Sequence, residues 1–416
     1  MKAPVKIRDF DDLTYNPFTA MGDQGGENAI LDFYPQLASL RQDSPVLDRD
    51  IRNAFGLSSD LTLEGVRSVA LLSHQVVSQA LGDTKRFSNG IYNHNLGKMF
   101  GRSITTMDNP EHLRFRRLFQ GAFSPRMTAK WGEEIIPRII NRLIDGFEGQ
   151  GHAELVSEFT LHFPFHFIHE LMGLPDEDRE IFHKLAFGQI AIVFDTEHGI
   201  DAIDKLRAYL TDIVADRRRN PRDDDFISLI ATAEIDGERL PDEVVIAFFR
   251  QLMNAGGDTS YHGFSNVLCA LLTHPDQLAR VQKDISLAAK AIEEGLRWNC
   301  PVPMIARTTT KDVEIGGITL HPGDHVAIML AAANRDEMVF DQPDLFNLDR
   351  GSRNHAAFGF GPHICIGQHL ARLEMQRALV LLLERFPKLR IDERYPSPAI
   401  SGFSLRGPKA LHVRFD

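Results

Sequence analysis

The sequence is poor in cysteine, tryptophan and tyrosine, and it has no long apolar run. Its three cysteines, Cys269, Cys300 and Cys365, are scattered through 416 residues. An odd, widely spaced set builds no disulfide framework and no CxxC zinc site, so a reducing, cytoplasmic setting is expected. No stretch reaches about 18 uninterrupted apolar residues, and the opening MKAPVKIRDFDDLTYNPF has no apolar centre, so neither a membrane span nor a signal peptide is expected. A basic excess is missing as well. The formal net charge is −11, which argues against nucleic acid as a partner. Only two Trp and six Tyr stand beside 28 Phe, so the aromatic surface is almost wholly apolar. That suits a core, and it also suits a pocket for a hydrophobic ligand. Repeats, low-complexity tracts and Gly/Ser linkers are absent too. The expectation is one domain over 1–416, with 1–40 as a peripheral segment, and a monomer.

What is present reads mostly as helix. Residues 66–72 (VRSVALL) form a candidate strand and 74–82 a short helix, and helical periodicity dominates 110–220. The mixed-charge run 216–225, around Pro221, reads as a solvated helix end and turn. A long helix should begin at Asp242, just after Pro241, and end before His274-Pro275. Residues 312–330 read as short strands joined by turns at Gly316-Gly317 and Pro322-Gly323. A last helix over 367–386 and a terminal strand over 411–415 complete the chain. The fold class that follows is mainly α with a minor antiparallel β portion.

The most informative stretch is Phe358-Gly359-Phe360-Gly361-Pro362-His363-Ile364-Cys365-Ile366-Gly367. Spaced glycines let a backbone turn tightly and approach a flat ligand closely. Cys365 sits just before the last helix, whose free N–H groups and positive dipole end favour a thiolate, the metal-binding form of cysteine. No second Cys and no His cluster stands nearby, so a lone axial sulfur ligand fits better than zinc. An isolated cysteine would more often be a buried structural residue in a loop-to-helix turn. The whole segment, however, resembles the haem-binding signature of the cytochrome P-450 family at each defining position.

Three further segments stand in that family's order. Ala255-Gly256-Gly257-Asp258-Thr259-Ser260 lies within the long helix. Its two mid-helix glycines cost about 1 kcal/mol each against Ala, a defect tolerated for close packing or for function. Alone, the run reads as a packing notch; in position it resembles the family's oxygen-binding helix. The resemblance implies that Asp258 and Thr259 handle protons and that Ala255 and Gly256 lie beside the cofactor. Glu294-Gly295-Leu296-Arg297 is by itself an ordinary i,i+3 ion pair, and in position it resembles the family's structural Glu-x-x-Arg. Many members carry an Arg where this chain has Leu345, and Arg350 is the candidate substitute. Residues 108–117 resemble the family's C helix, with His112 and Arg116 four apart on one face. By resemblance these two, with Arg307 and His363, are expected to hold the haem propionates through charge-assisted bonds.

The resemblance runs from residue 40 to the end. It implies a single, mostly helical domain enclosing haem b (iron protoporphyrin IX), with Cys365 as the iron ligand and Phe358, Gly359 and Gly367 around it. The implied activity is that of a soluble bacterial-type haem-thiolate monooxygenase, which hydroxylates a small to medium hydrophobic substrate with O2. The chain has no flavin or nicotinamide fingerprint and no iron–sulfur cysteine set, so its two electrons must come from outside. The resemblance implies NAD(P)H as their source, through a ferredoxin and its reductase. Arg114, Arg117 and Arg372 are candidate contacts for such a partner. Motif alignment offers Tyr92, Gln251, Met304, Ile305 and Phe403 as candidate pocket residues. That mainly apolar set leaves terpenoid, steroid, fatty acid and aromatic substrates open. Two alternatives remain, a peroxide-driven haem-thiolate peroxygenase and a non-catalytic haem-binding sensor.

Overall fold

The computed structural model describes residues 6–20, 30–31, 33–193, 195–223, 225–235, 237–351 and 354–416. By internal contacts the chain divides into two compact units. The first comprises Met1–Gly25, Tyr92–Trp131 and Pro164–Asp258, and the second comprises Gly26–Ile91, Gly132–Phe163 and Thr259–Asp416. Each is assembled from three separate stretches, so no linker marks the division in sequence. The longer helices include α1 (Phe33–Asp43), α2 (His74–Gly82), α3 (Glu111–Ala122), α4 (Pro125–Asp145) and α5 (Phe163–Leu171). They continue as α6 (Arg179–Gly188), α7 (Thr196–Arg219), α8 (Asp242–Thr273), α9 (Ala288–Trp298) and α10 (Gln368–Arg385). Among the described residues, no helix is long and apolar enough to cross a membrane.

The second unit is built around a sheet. Its strands include β1 (Val46–Leu47), β2 (Ser68–Leu71), β3 (Phe87–Ser88) and β4 (Ile305–Thr309). They are followed by β5 (Val313–Ile315), β6 (Ile318–Leu320) and β7 (His325–Ile328). The main sheet runs β1-β2-β7-β4-β3. Its neighbours are antiparallel except β2 and β7, which pair in parallel from Ser68 with His325 to Leu71 with Ile328. β5 and β6 form the hairpin expected at Gly316-Gly317, with Ile315 opposite Ile318. Val313 and Ile315 are buried and Glu314 is exposed, the period of two that marks a half-buried strand.

The core of this unit joins the sheet to α1 and α2, through Phe33, Leu37, Val69, Leu71, Val77, Val326 and Ile328 among others. Phe33 and Leu37 are fully buried. The chain before residue 40 is therefore not merely peripheral: a helix that puts Phe33, Tyr34 and Leu37 on one face must bury them.

The first unit is helical, and phenylalanine packs much of its core. Phe119 of α3 stacks on Phe248 of α8 at 3.9 Å. Phe226 stands edge-on to Phe123, Trp131 and Phe249. The phenylalanine rings among these bury large areas without a polar atom that needs a partner. α8 begins and ends where Pro241 and His274-Pro275 place it. The 216–225 run ends α7 at Arg219 and is exposed over 219–223, as expected, but two of its charges turn inward. Arg217 and Asp225 have side chains only 3% and 6% exposed and pair at 3.0 Å. The carboxylate of Asp225 also accepts from the Ser228 N–H at 2.8 Å. A buried cation needs such a partner, so this part of the run is an internal clasp and not a solvated helix end.

Candidate active site

The segment before α10 is a tight loop. Gly359 and Gly361 have φ of 70° and 72°, a region L side chains rarely adopt. A Cβ on Gly361 would lie 2.4 Å from the Leu81 carbonyl oxygen, so the loop rests directly on the last turn of α2. The Cys365 N–H donates to the Phe358 carbonyl at 2.9 Å and closes the loop. Cys365 is exposed, whereas Cys269 and Cys300 are buried. Desolvation pushes both buried thiols up to about 12, so neither is a thiolate near neutrality. Cys365 alone joins access to a helix start, where N–H groups favour an anionic sulfur. No atom lies within 4 Å of the place a Gly359 Cβ would take, and at Gly367 the one such neighbour is the Cys365 sulfur, at 3.9 Å. That leaves room for a flat group against the loop.

Glu293 braces this loop. Its carboxylate meets His355 Nε2 at 3.0 Å and Arg372 Nε at 2.6 Å, and the Arg372 guanidinium lies over the Phe358 ring, 4.3 Å from its centroid. Burial disfavours the Glu293 charge, but His355 and Arg372 outweigh it and hold the carboxyl down at about 2. Arg372, a candidate partner contact on sequence grounds, is thus committed to an internal brace. Beside it, Arg297 makes two 2.8 Å bonds to the Glu294 carboxylate, both side chains buried. Arg350 Nε reaches the same carboxylate at 3.1 Å. Leu345 takes part through its backbone carbonyl, which accepts from Arg297 at 3.0 Å and from Arg350 at 3.1 Å. Arg350 therefore fills the place that Leu345 leaves open.

Along α8, Leu252, Ala255, Gly256 and Thr259 are exposed or half-buried, while Met253, Asn254, Gly257, Asp258 and Ser260 are buried. Spacings of three and four put the first set on one helix face. α8 therefore carries an open stripe through Ala255, Gly256 and Thr259. Gly257 lies off that stripe: a Cβ there would stand 2.6 Å from the Phe165 ring of α5, and one on Gly256 would stand 2.9 Å from Ile168 Cδ1 of the same helix, so both glycines are packing notches. Ser260 donates to Glu374 of α10 at 2.5 Å. Burial pushes the Glu374 carboxyl up to about 8, against the Ser260 bond, which favours the anion. Glu374 drew no attention in the sequence, because its partner lies 114 residues away.

The remaining candidates fall out unit by unit. In the second unit, Arg307 is buried on β4 and donates to the Ala306 carbonyl at 2.7 Å. His363 Nδ1 lies 3.2 Å from Asn89 Nδ2, and Met304 and Ile305 are half-buried. Phe403 is a correction. It is fully buried, edge-on to Phe33 and Phe55, with Arg52 over its ring. An apolar ring enclosed by other rings belongs to the core and not to a pocket. In the first unit, His112 is buried on α3, with Arg116 half-buried one turn on. Gln251 donates to Thr105 Oγ1 at 2.9 Å, and Tyr92 is half-buried. Arg114 pairs with Glu238 at 3.1 Å, and Arg117 is exposed.

A mainly helical chain whose one accessible thiol opens its last long helix, on a glycine loop with room for a flat group, is of the thiolate-ligand class. A sequence model described as cytochrome P450 matches residues 189–412. The chain is 33% identical over 390 residues to the putative cytochrome P450 YjiB of Bacillus subtilis, covering 92% of this chain and 93% of that protein. Among solved structures it is similar to cytochrome P450 CYP109Q5 from Chondromyces apiculatus, with TM-score 0.81 and 34% identity over 92% of this chain and 94% of that one. CYP109E1 from Bacillus megaterium, solved in complex with testosterone, gives TM-score 0.80 and 27% identity over 92% and 99%. The chain belongs to the cytochrome P450 family. It is an oxidoreductase, and its family implies a haem cofactor. The residues present fit that group: Cys365, the only exposed cysteine, opens α10 on a glycine loop with room beside it.

Proposed function

We propose that the chain is a haem-thiolate monooxygenase that hydroxylates a small to medium hydrophobic molecule with O2 and two electrons. NAD(P)H supplies the electrons through a ferredoxin and its reductase, and the protein works in the cytoplasm as a monomer. The observation that carries this reading is Cys365, the one exposed thiol of three, set at the start of α10. Bound haem supplies the reductive activation of O2. Cys365 Sγ holds the iron, with Phe358, Gly359 and Gly367 shaping the space beside it. His112, Arg116, Arg307 and His363 offer donors to the propionates. Ala255, small and exposed on α8, and Gly256 next to it lie beside the cofactor. Thr259 Oγ1, on the same helix, orders a water and passes a proton that Asp258 supplies, a role worth about 10²–10⁴ in rate. Glu294 and Arg297 are structural. The acid–alcohol pair favours O2 over peroxide as oxidant, because a peroxide user needs no such delivery. Tyr92, Gln251, Met304 and Ile305 make a mainly apolar substrate set. The testosterone complex of the Bacillus megaterium relative supports a substrate of steroid size and character.

The test begins with a substrate found by ligand-induced spin-state shifts of the holoenzyme. Product should form with ferredoxin, reductase and NAD(P)H, and hardly at all with hydrogen peroxide alone. The reverse result would establish a peroxygenase, and no product from either a sensor. In Thr259→Ala, haem content and substrate affinity should stay near wild type. NAD(P)H should still be consumed, with the reduced oxygen leaving mainly as hydrogen peroxide. Unchanged coupling would remove Thr259 from the proton path.

A further inference from the structure

The N-terminal residues of the first unit lie along α6 and α7 and are tied to them at successive points. Ile7 and Phe10 are buried. Phe10 sits in a notch of α6, where a Cβ on Gly188 would come within 2.5 Å of its ring. Lys184 of α6 holds both carboxylate oxygens of Asp9, at 3.0 and 2.9 Å. Lys205 of α7 bridges Asp11 at 2.8 Å and Asp201 at 2.7 Å, and the Asp11 N–H donates to Asp201 at 2.9 Å. Further along, Tyr15 stacks flat on His198 at 3.8 Å, and Phe18 packs on His183 and Phe187.

His198 is the unusual tie. Its Nδ1 lies 2.7 Å from Asp195, the cap of α7, and its Nε2 lies 3.4 Å from Asp12 of the N-terminal segment. A carboxylate thus stands at each ring nitrogen, and only the doubly protonated ring can donate to both. The neutral ring keeps one N–H, which the closer Asp195 retains, and turns a lone pair on Asp12. The neighbouring charges do not replace it. Lys184 is committed to Asp9, Lys205 to Asp11 and Asp201, and Arg8 reaches Asp11 at 3.5 Å. The rings against His198 are Tyr15 and Phe10.

We propose that residues 7–18 are a pH-gated strap that latches α6 and α7, and that it lets go when His198 loses its second proton. The direction follows from the charges. Desolvation disfavours the imidazolium, but the bonds and charges of Asp195 and Asp12 outweigh it and raise the His198 pKa above 6.5. A raised folded value gives stability that is full below the unfolded value and lost as pH rises through the folded one. Asp11 and Asp12 are held low by their partners, chiefly Lys205 and Thr14, so their share is lost only in strong acid. The latch is therefore tightest in acid, below the ordinary imidazole value of 6.5, and loosens as pH rises through the raised one. Its effect reaches α8. Asn254 exchanges bonds with Gln189 and the Ala186 carbonyl at 3.0 and 2.8 Å, one turn before Asp258. A loosened α6 is less firmly seated on that stretch.

The inference stands apart from the proposed oxidation and is tested without turnover. Backbone hydrogen exchange of residues 7–18 in the full holoenzyme is compared at pH 6 and pH 8.5, after correction for intrinsic rates. The opening equilibrium should rise about threefold or more at the higher pH, the scale of one partly exposed ion pair. Asp12→Asn lets the neutral ring accept a bond, so this variant should stay closed at both values. His198→Ala should show the raised opening equilibrium at both. Exchange in wild type that is independent of pH would overturn the proposal, as would the same pH dependence in Asp12→Asn.

Discussion

Glu374 is an acid kept neutral by its surroundings. From its ordinary value of 4.5 up to about 8, the folded chain holds a proton there that the unfolded chain has released. Stability must fall as pH rises through that interval. Glu374→Gln leaves an acceptor for Ser260 and removes the titration. In urea unfolding from pH 5 to pH 8, wild type should lose on the order of a few kcal/mol relative to this variant. Parallel profiles would mean that the carboxyl ionises without penalty. Cys365 makes a sharper spectroscopic case. The reduced carbon monoxide complex should show the strongly red-shifted Soret band of thiolate ligation. Cys269→Ala and Cys300→Ala should keep it and Cys365→His should lose it, since the other thiols are buried and raised to about 12. A thiolate-type band in Cys365→Ala would refute the ligand assignment. Cys365 was legible because its loop carries its own turn chemistry within ten residues. Glu374 was not, since nothing near it in sequence distinguishes it from the other charges of α10.

Among the elements, α8 was readable to the residue, because Pro241 and His274-Pro275 act locally on the backbone. The brace around Glu293 was not, for its partners His355 and Arg372 are 62 and 79 residues away. Phe403 was misplaced for a related reason: position in a turn does not tell which side chain the turn sends inward. Arg350 lies between these cases, because the departure at Leu345 announced that a partner was missing. Its contribution is measurable. Arg350→Leu removes one arm from the buried Glu294 carboxylate and one donor each from the carbonyls of Asp341, Gln342 and Leu345. A loss of about 1–3 kcal/mol is expected, read as earlier thermal loss of the thiolate-type spectrum. Arg350→Lys should recover part of it, since an ammonium can reach Glu294 but cannot fork to the carbonyls. A melting temperature unchanged in Arg350→Leu would reduce that contact to surface decoration.

At the scale of the molecule, the two units differ in when they can exist. The first ends in sequence at Asp258, while the second draws on residues from 26 to the last. Its sheet is held at the centre by β2 against β7, a pairing that spans 257 residues between Ser68 and His325. Ribosomes add about 5–20 residues each second, so β2 waits about 13–50 s for its neighbour. During that interval Val69, Ala70 and Leu71, which end fully buried, have no β7 to lie against. The parallel strand that completes the sheet thus also sets a hazard of birth. Every nascent copy passes through a stage with an open, apolar strand edge, and how long that stage lasts depends on the pace of translation between β2 and β7.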